Sequence, residues 1–148
     1  MIRVSLQIVV ETEDGERTVH EVATVTRTDL RPDTVGLHLD EAKNLLASVQ
    51  RAVVEQQVAE YLARRATCSC CGRPHRHKGE HTILVLTLFG TVRLTSPRLF
   101  HCGCRPRSTR TFSPLADALP EHTTPELVLL ESEFAARQAP GQHHARFA

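Results

Sequence analysis

Five cysteines in two tight groups constrain this 148-residue chain more than any other feature of its sequence. The first group is Cys68-Ser69-Cys70-Cys71-Gly72 and the second is Cys102-Gly103-Cys104. An odd number of cysteines without a secretory signal favours metal binding by thiolates over a disulfide framework. Gly72 lets the backbone close the turn of the first group, so that two thiolates converge on one ion. The sequence therefore predicts four metal ligands and leaves Cys70 as the spare; the ligands are Cys68, Cys71, Cys102 and Cys104.

The residue types in this set indicate which metal would be bound. Four soft thiolates without an open coordination position favour structural Zn²⁺, which would stabilise a zinc ribbon too small for a hydrophobic core of its own. Two alternatives stay open: His101 or His77 replaces one sulfur, or the cysteines are reduced side chains packed as small hydrophobes. No Gly-rich phosphate loop, H-E-x-x-H motif or nucleophile elbow is present. We therefore expect no catalytic residues.

Basic residues are concentrated around the cysteines. Residues 64–110 contain ten Lys or Arg and one acidic residue, Glu80, although the whole chain has a formal net charge of only +1. With four thiolates and one Zn²⁺ included, this block would still carry about +7, enough to attract a polyanion. The candidates for phosphate contact in DNA are Arg73, Arg76, Lys78, Arg93, Arg98, Arg105, Arg107 and Arg110. The alternatives are a solvated surface that compensates the zinc–thiolate charge, and a surface for a protein or an acidic ligand.

Two hydrophobic periods organise the chain before the cysteines. Residues 2–10 alternate as in a strand, Asp14-Gly15 supplies hairpin-turn chemistry, and residues 17–26 form a second arm with a bulge or a slipped register. From Asp40 the period becomes helical, which predicts a helix over residues 40–65 with Asp40 as its N-cap. The apolar face of this helix packs either on the hairpin or on a second copy in a homodimer.

After the first cysteine group, residues 83–100 predict a second hairpin and residues 112–115 a turn. A short helix is expected up to residue 136, with either Thr124 before Pro125 or Thr123 as its cap. The fold class is thus α+β: an N-terminal β-hairpin and a long helix, a zinc ribbon, and a short C-terminal helix. The corresponding segments are 1–66 for the hairpin and long helix, 67–111 for the ribbon, 112–136 for the turn and short helix, and 137–148 for a disordered tail.

No stretch of the sequence predicts export or insertion into a membrane. The N-terminus alternates in polarity and lacks the continuous apolar run of a signal peptide. The longest apolar run, residues 83–89, is far shorter than the roughly 20 residues that span a bilayer. A cytoplasmic location without a membrane partner is therefore expected.

Several short motifs follow one another in a fixed order along residues 2–136. They are Gly36-Leu37, Asp40-Glu41-Ala42-Lys43-Asn44-Leu45-Leu46, Val49-Gln50-Arg51, the first cysteine pair with Gly72, Thr87-Leu88-Phe89-Gly90-Thr91-Val92, Ser96-Pro97-Arg98, the second cysteine pair, Phe112-Ser113-Pro114-Leu115 and Thr124-Pro125-Glu126-Leu127. This ordered series resembles the N-terminal region of ISKra-type insertion-sequence transposases. The pair of cysteines separated by two residues is common to many ribbons, whereas the whole series is much more specific.

The resemblance implies a role in DNA handling. In that family this region precedes an RNase H-like domain whose acidic residues hold divalent metal for DNA cleavage and strand transfer. The resemblance implies recognition of transposon ends in a bacterial cytoplasm, by a truncated copy that lacks the catalytic domain and is inert alone. Two other functions are carried as alternatives: an interaction module that dimerises or modulates an intact transposase, and a metal-dependent nuclease.

Overall fold

A computed structural model describes residues 1–104 and 110–137 of the chain. The elements in chain order are β1 (Ile2–Glu11), β2 (Arg17–Arg27), α1 (Leu39–Arg65), β3 (His77–Thr87), β4 (Gly90–Phe100), β5 (Thr111–Phe112), α2 (Pro114–Ala118) and α3 (Pro125–Arg137). The predicted α+β class is confirmed, with its N-terminal hairpin, long helix and short C-terminal helix. The disordered tail expected after Arg137 lies outside the described residues.

The described residues form two compact units. One contains residues 1–75 together with the second cysteine group, and the other contains residues 76–101 and 110–137. Both cysteine groups therefore belong to the first unit, and the hairpin that separates them in the sequence belongs to the second. The sequence pattern assigns all three to one ribbon over residues 67–111.

In the first unit, β1 and β2 pair antiparallel around the Asp14-Gly15 turn. Gly15 has a φ of +80°, a left-handed conformation that glycine adopts without steric penalty. The register passes from Leu6 opposite Ala23 to Gln7 opposite Glu21, which leaves Val22 as an extra residue in the second arm. The bulge expected in that arm is confirmed.

The long helix α1 begins one residue earlier than predicted, and its cap is different. The Glu41 carboxylate accepts a hydrogen bond of 2.9 Å from the His38 backbone amide, while Asp40 lies inside the first turn. Asp40 as the N-cap is therefore wrong, although its charge still favours the positive end of the helix. Arg27 at the end of β2 pairs with Glu41 and also donates to the carbonyls of Thr34 and Gly36 at 2.9 and 2.8 Å. The cap is thus set by a contact from β2, which no local pattern shows.

The second unit holds the core. β3 and β4 pair antiparallel, β5 adds to β4, and α2 packs against β4. Alternate residues of the two long strands are buried on one face, as expected for a sheet covered on one side. The buried hydrophobic residues are Ile83, Val85, Val92, Leu94, Leu99 and Leu115.

Residues 112–115 do not form the turn that the sequence predicts. Phe112 ends β5, and Pro114 begins α2 at a position where the missing amide hydrogen of proline is tolerated. The hydroxyl oxygens of Ser96 and Ser113 lie 2.6 Å apart and share a hydrogen bond beneath this helix. A two-residue strand and a five-residue helix are too short to show a hydrophobic period, which explains the error.

The free edge of β3 is partly covered by the segment before α3. The Leu86 amide donates to the His122 carbonyl at 2.8 Å, and the Thr124 amide donates to the Leu86 carbonyl at 2.9 Å. Pro125 is the first residue of α3, in agreement with the scheme in which Thr124 precedes the helix. Among the described residues, no helix combines the length and the apolar character needed to cross a membrane.

Candidate metal centre

The first cysteine group is held in a tight turn. The Cys68 amide donates to the Arg73 carbonyl, and the Gly72 amide donates to the Cys68 carbonyl, both at 2.8 Å. Gly72 has a φ of +69°, a conformation that costs a residue with a side chain about 1 kcal/mol. A short antiparallel bridge closes the base of the turn. The backbone thus fixes two cysteines at the tip of a small loop.

Four cysteine sulfur atoms converge in the first unit. The Sγ atoms of Cys68, Cys71, Cys102 and Cys104 all lie within 4.8 Å of one another. The Sγ atoms of Cys68 and Cys104 are 3.5 Å apart, and those of Cys71 and Cys102 are 3.3 Å apart. With metal–sulfur bonds of about 2.3 Å, the edge of a tetrahedral site would be about 3.8 Å. Each cysteine is a free thiol, and the cluster has the size and ligand number to hold a metal ion.

The backbone around the cluster stabilises two of the four thiolates. The pKa of Cys68 is lowered to about 6, chiefly because the amides of Cys70 and Cys71 donate to its sulfur. The pKa of Cys102 is lowered as well, first by the amide of Cys104 and then by the thiol of Cys71. The pKa of Cys104 is raised, because its thiol is hydrogen-bonded to the sulfurs of Cys68 and Cys102. Thiolates prepared in this way are the form that binds metal.

Within the described part of the chain, neither the spare cysteine nor a histidine is one of the residues that form this cluster. Cys70 is exposed at the tip of the turn. The two histidines proposed as substitutes make other contacts: His77 lies 3.6 Å from the Glu80 carboxylate, and the ring of His101 stacks on Phe112 with 4.6 Å between centroids. The structure therefore brings together the four cysteines of the predicted ligand set, and the two histidines proposed as substitutes are not part of it.

Most of the predicted phosphate contacts lie on exposed positions. Arg73 belongs to the first unit, next to the cysteine turn, and the others that are described belong to the second unit. Within residues 1–104 and 110–137, none of these cations pairs with a carboxylate. The described members are Arg73, Arg76, Lys78, Arg93, Arg98 and Arg110, whereas Arg105 and Arg107 lie outside the described residues.

One aromatic residue that sequence reasoning missed organises part of this basic surface. The guanidinium carbon of Arg76 lies 5.1 Å from the centroid of the Phe100 ring, and the Lys78 Nζ lies 5.8 Å from it. Lys78 is the extra residue of a bulge, because the register passes from His77 opposite Leu99 to Gly79 opposite Arg98. Cation–π attraction thus gathers two positive charges at the base of the hairpin. The only sequence signal was the place of Phe100 just before the second cysteine group.

Comparison of the chain with protein-family models, with curated proteins and with solved structures found no match.

Proposed function

We propose that this chain is a DNA-binding module with one structural zinc ion, of the kind found in the N-terminal region of ISKra-type transposases. The observation that carries the proposal is the convergence of four cysteine sulfurs within 4.8 Å. A set of four thiolates leaves no coordination position for a water or a substrate, so the ion stabilises structure and takes no part in a reaction. Zinc is the divalent ion that this ligand set and this size favour.

The DNA part of the proposal is supported by the cations of the second unit. Arg93 and Arg98 both lie on β4, and both side chains are exposed. Arg76 and Lys78 add two further charges at one end, gathered by Phe100. No described carboxylate neutralises these four cations, which leaves them available to a polyanion.

Zinc stoichiometry tests the metal part of the proposal. Native mass spectrometry should find one zinc ion in the intact chain, and Cys102→Ser should lose it or hold it far more weakly. Cys70→Ser is the matched control, since Cys70 is exposed and outside the cluster, and it should retain the ion. Folded protein without zinc, or equal loss in both variants, would contradict a four-cysteine zinc site.

Salt dependence tests the DNA part. Four phosphate contacts predict a slope of about −3.6 for the logarithm of affinity against the logarithm of salt concentration, or about a 150-fold loss of affinity for a fourfold rise in salt. Arg98→Gln should reduce the slope by about 1, because one contact is removed. Arg51→Gln on α1, an exposed arginine outside the basic block, is the control and should leave the slope unchanged. Fluorescence anisotropy with a labelled duplex measures both values, and affinity independent of salt would remove the proposal.

Two further assays test the likeness to a transposase region. Duplexes that contain the ends of a transposable element should compete better than a duplex of unrelated sequence. The purified chain should leave DNA uncut in Mg²⁺ or Mn²⁺, because the four-thiolate site has no open position for a catalytic water. Cleavage abolished by a cysteine substitution would instead support a metal-dependent nuclease.

A further inference from the structure

The first unit leaves much of its apolar surface uncovered. No residue of β1, β2 or α1 is buried, although α1 alone has 27 residues. A two-stranded hairpin is marginally stable by itself in water, and a helix gains most of its stability from packing an apolar face. The helix contacts β2, but none of its residues is fully buried. A further surface is therefore needed to cover α1.

The uncovered apolar residues of α1 are arranged in a regular row. Leu39, Leu46 and Val53 are spaced by seven residues and are 73%, 43% and 44% exposed. Ala42 and Val49, which are half-buried, lie three residues after the first two and add the second position of a heptad repeat. Residues spaced alternately by three and four form a seam along one side of a helix. This seam extends from the first turn of α1 to its middle.

We propose that the seam is covered by a second copy of this chain, so that two α1 helices pack against each other in a homodimer. A seven-residue repeat fits best against a helix with the same repeat, and this chain supplies one. The positions beside the seam carry a single charge, that of Lys43, so two copies can meet without an array of like charges. The remaining neighbours of the seam are Leu45, Gln50, Ala52, Gln57 and Ala59.

The charge of Glu60, at the end of the row of apolar residues, decides whether the two helices run parallel or antiparallel. Glu60 is the next residue at the seven-residue spacing, and parallel helices in register would place two Glu60 carboxylates opposite each other. An antiparallel pair centred near Leu46 brings Leu39 of one copy close to Val53 of the other and leaves both Glu60 side chains beyond the seam. Antiparallel packing also opposes the two helix dipoles. The dimer is therefore antiparallel.

Sedimentation of the full chain without DNA tests this inference separately from the DNA-binding proposal. Leu46→Glu and Val53→Glu place a charge on the seam and should raise the dissociation constant of the dimer at least tenfold. Asn44→Glu adds the same charge on the opposite side of α1, at an exposed position, and should leave the dimer intact. Glutamate is a good helix former, and far-UV circular dichroism checks that the helix is retained. If a glutamate variant unfolds, Leu46→Ala replaces it and should still weaken the dimer.

Three results would overturn the inference. The first is a wild-type chain that sediments as a monomer at about 0.1 mM, a concentration at which even a weak interface is populated. The second is a folded Leu46→Glu or Leu46→Ala variant that dimerises as tightly as Asn44→Glu. The third concerns orientation: Glu60→Gln should not change the dissociation constant of an antiparallel dimer, and tighter association would indicate a parallel pair.

Discussion

The hydrogen bond between Ser96 and Ser113 offers a sharp test of how the second unit is held together. The two hydroxyl oxygens are 2.6 Å apart, Ser96 has 0% of its surface exposed, and Ser113 is half-buried. Ser113 occupies the N-cap of α2 but makes no capping hydrogen bond with its side chain. Its hydroxyl is therefore used to satisfy Ser96, and replacing either serine leaves the other hydroxyl without this partner.

The structure predicts an unequal effect of the two substitutions on the free energy of unfolding. A buried polar group left unsatisfied costs about 1–3 kcal/mol. Ser113→Ala leaves the fully buried Ser96 hydroxyl unpaired and should cost about 2–3 kcal/mol. Ser96→Ala leaves the Ser113 hydroxyl without its protein partner, but water can reach this hydroxyl in part, so the substitution should cost about 1–2 kcal/mol. In the double variant no hydroxyl is orphaned, so its loss should fall short of the sum of the single losses by about 1–2 kcal/mol.

Urea denaturation of the wild type, both single variants and the double variant completes this cycle. Equal slopes of free energy against urea would show that the four proteins unfold in the same way. Additive losses, or a larger loss for Ser96→Ala than for Ser113→Ala, would refute the view that one shared hydrogen bond satisfies a buried hydroxyl.

Three other predictions concern the core, the helix cap and the cysteine turn. Leu115 is 1% exposed, and Leu115→Ala should lower the free energy of unfolding by about 3 kcal/mol. Leu129 is 64% exposed, and Leu129→Ala should change this free energy by less than about 0.5 kcal/mol. Urea denaturation of the two variants measures both values. Arg27 lowers the pKa of the Glu41 carboxyl from 4.5 to about 2. The ionised Glu41 carboxylate therefore stabilises the folded state fully above the ordinary carboxyl pKa, and this contribution is lost as the pH falls toward 2. The free energy of unfolding measured against pH should lose this acid dependence in Glu41→Gln. Gly72→Ala should weaken zinc binding about fivefold in a chelator competition, because a residue with a side chain pays about 1 kcal/mol for the left-handed φ of this position. An unchanged affinity would show that the turn tolerates the strain.

Features with a strong local signal were predictable from the sequence. Asp14-Gly15 marked the turn of the first hairpin, and the helical period from Asp40 marked α1 to within one residue at its start. The four cysteines were predicted as one set from their spacing, and their sulfur atoms lie together. In each case neighbouring residues carry the information, either as a turn dipeptide, a hydrophobic period or a paired ligand spacing.

Features that depend on contacts between distant residues were missed. Arg27 lies fourteen residues before Glu41, and its contact with that carboxylate explains why Asp40 is not the cap. The bulge at Lys78 and the cluster around Phe100 depend on the register of β3 against β4, which the hydrophobic pattern alone does not fix. The helix α2 was missed because its five residues are too few to show a period.

The placement of the cysteines has a consequence for how such a chain can vary in length. The sulfur contacts join residues 31 and 36 positions apart, and β3 and β4 lie entirely within that interval. An ion bound there closes the interval into a loop, and doubling the length of a flexible loop adds only about 0.6 kcal/mol to the entropy of closure. Residues added in pairs at the Phe89-Gly90 turn would keep the alternation of both strands and would not alter either cysteine group. The length and the charges of this hairpin can therefore diverge while the four cysteines stay the same.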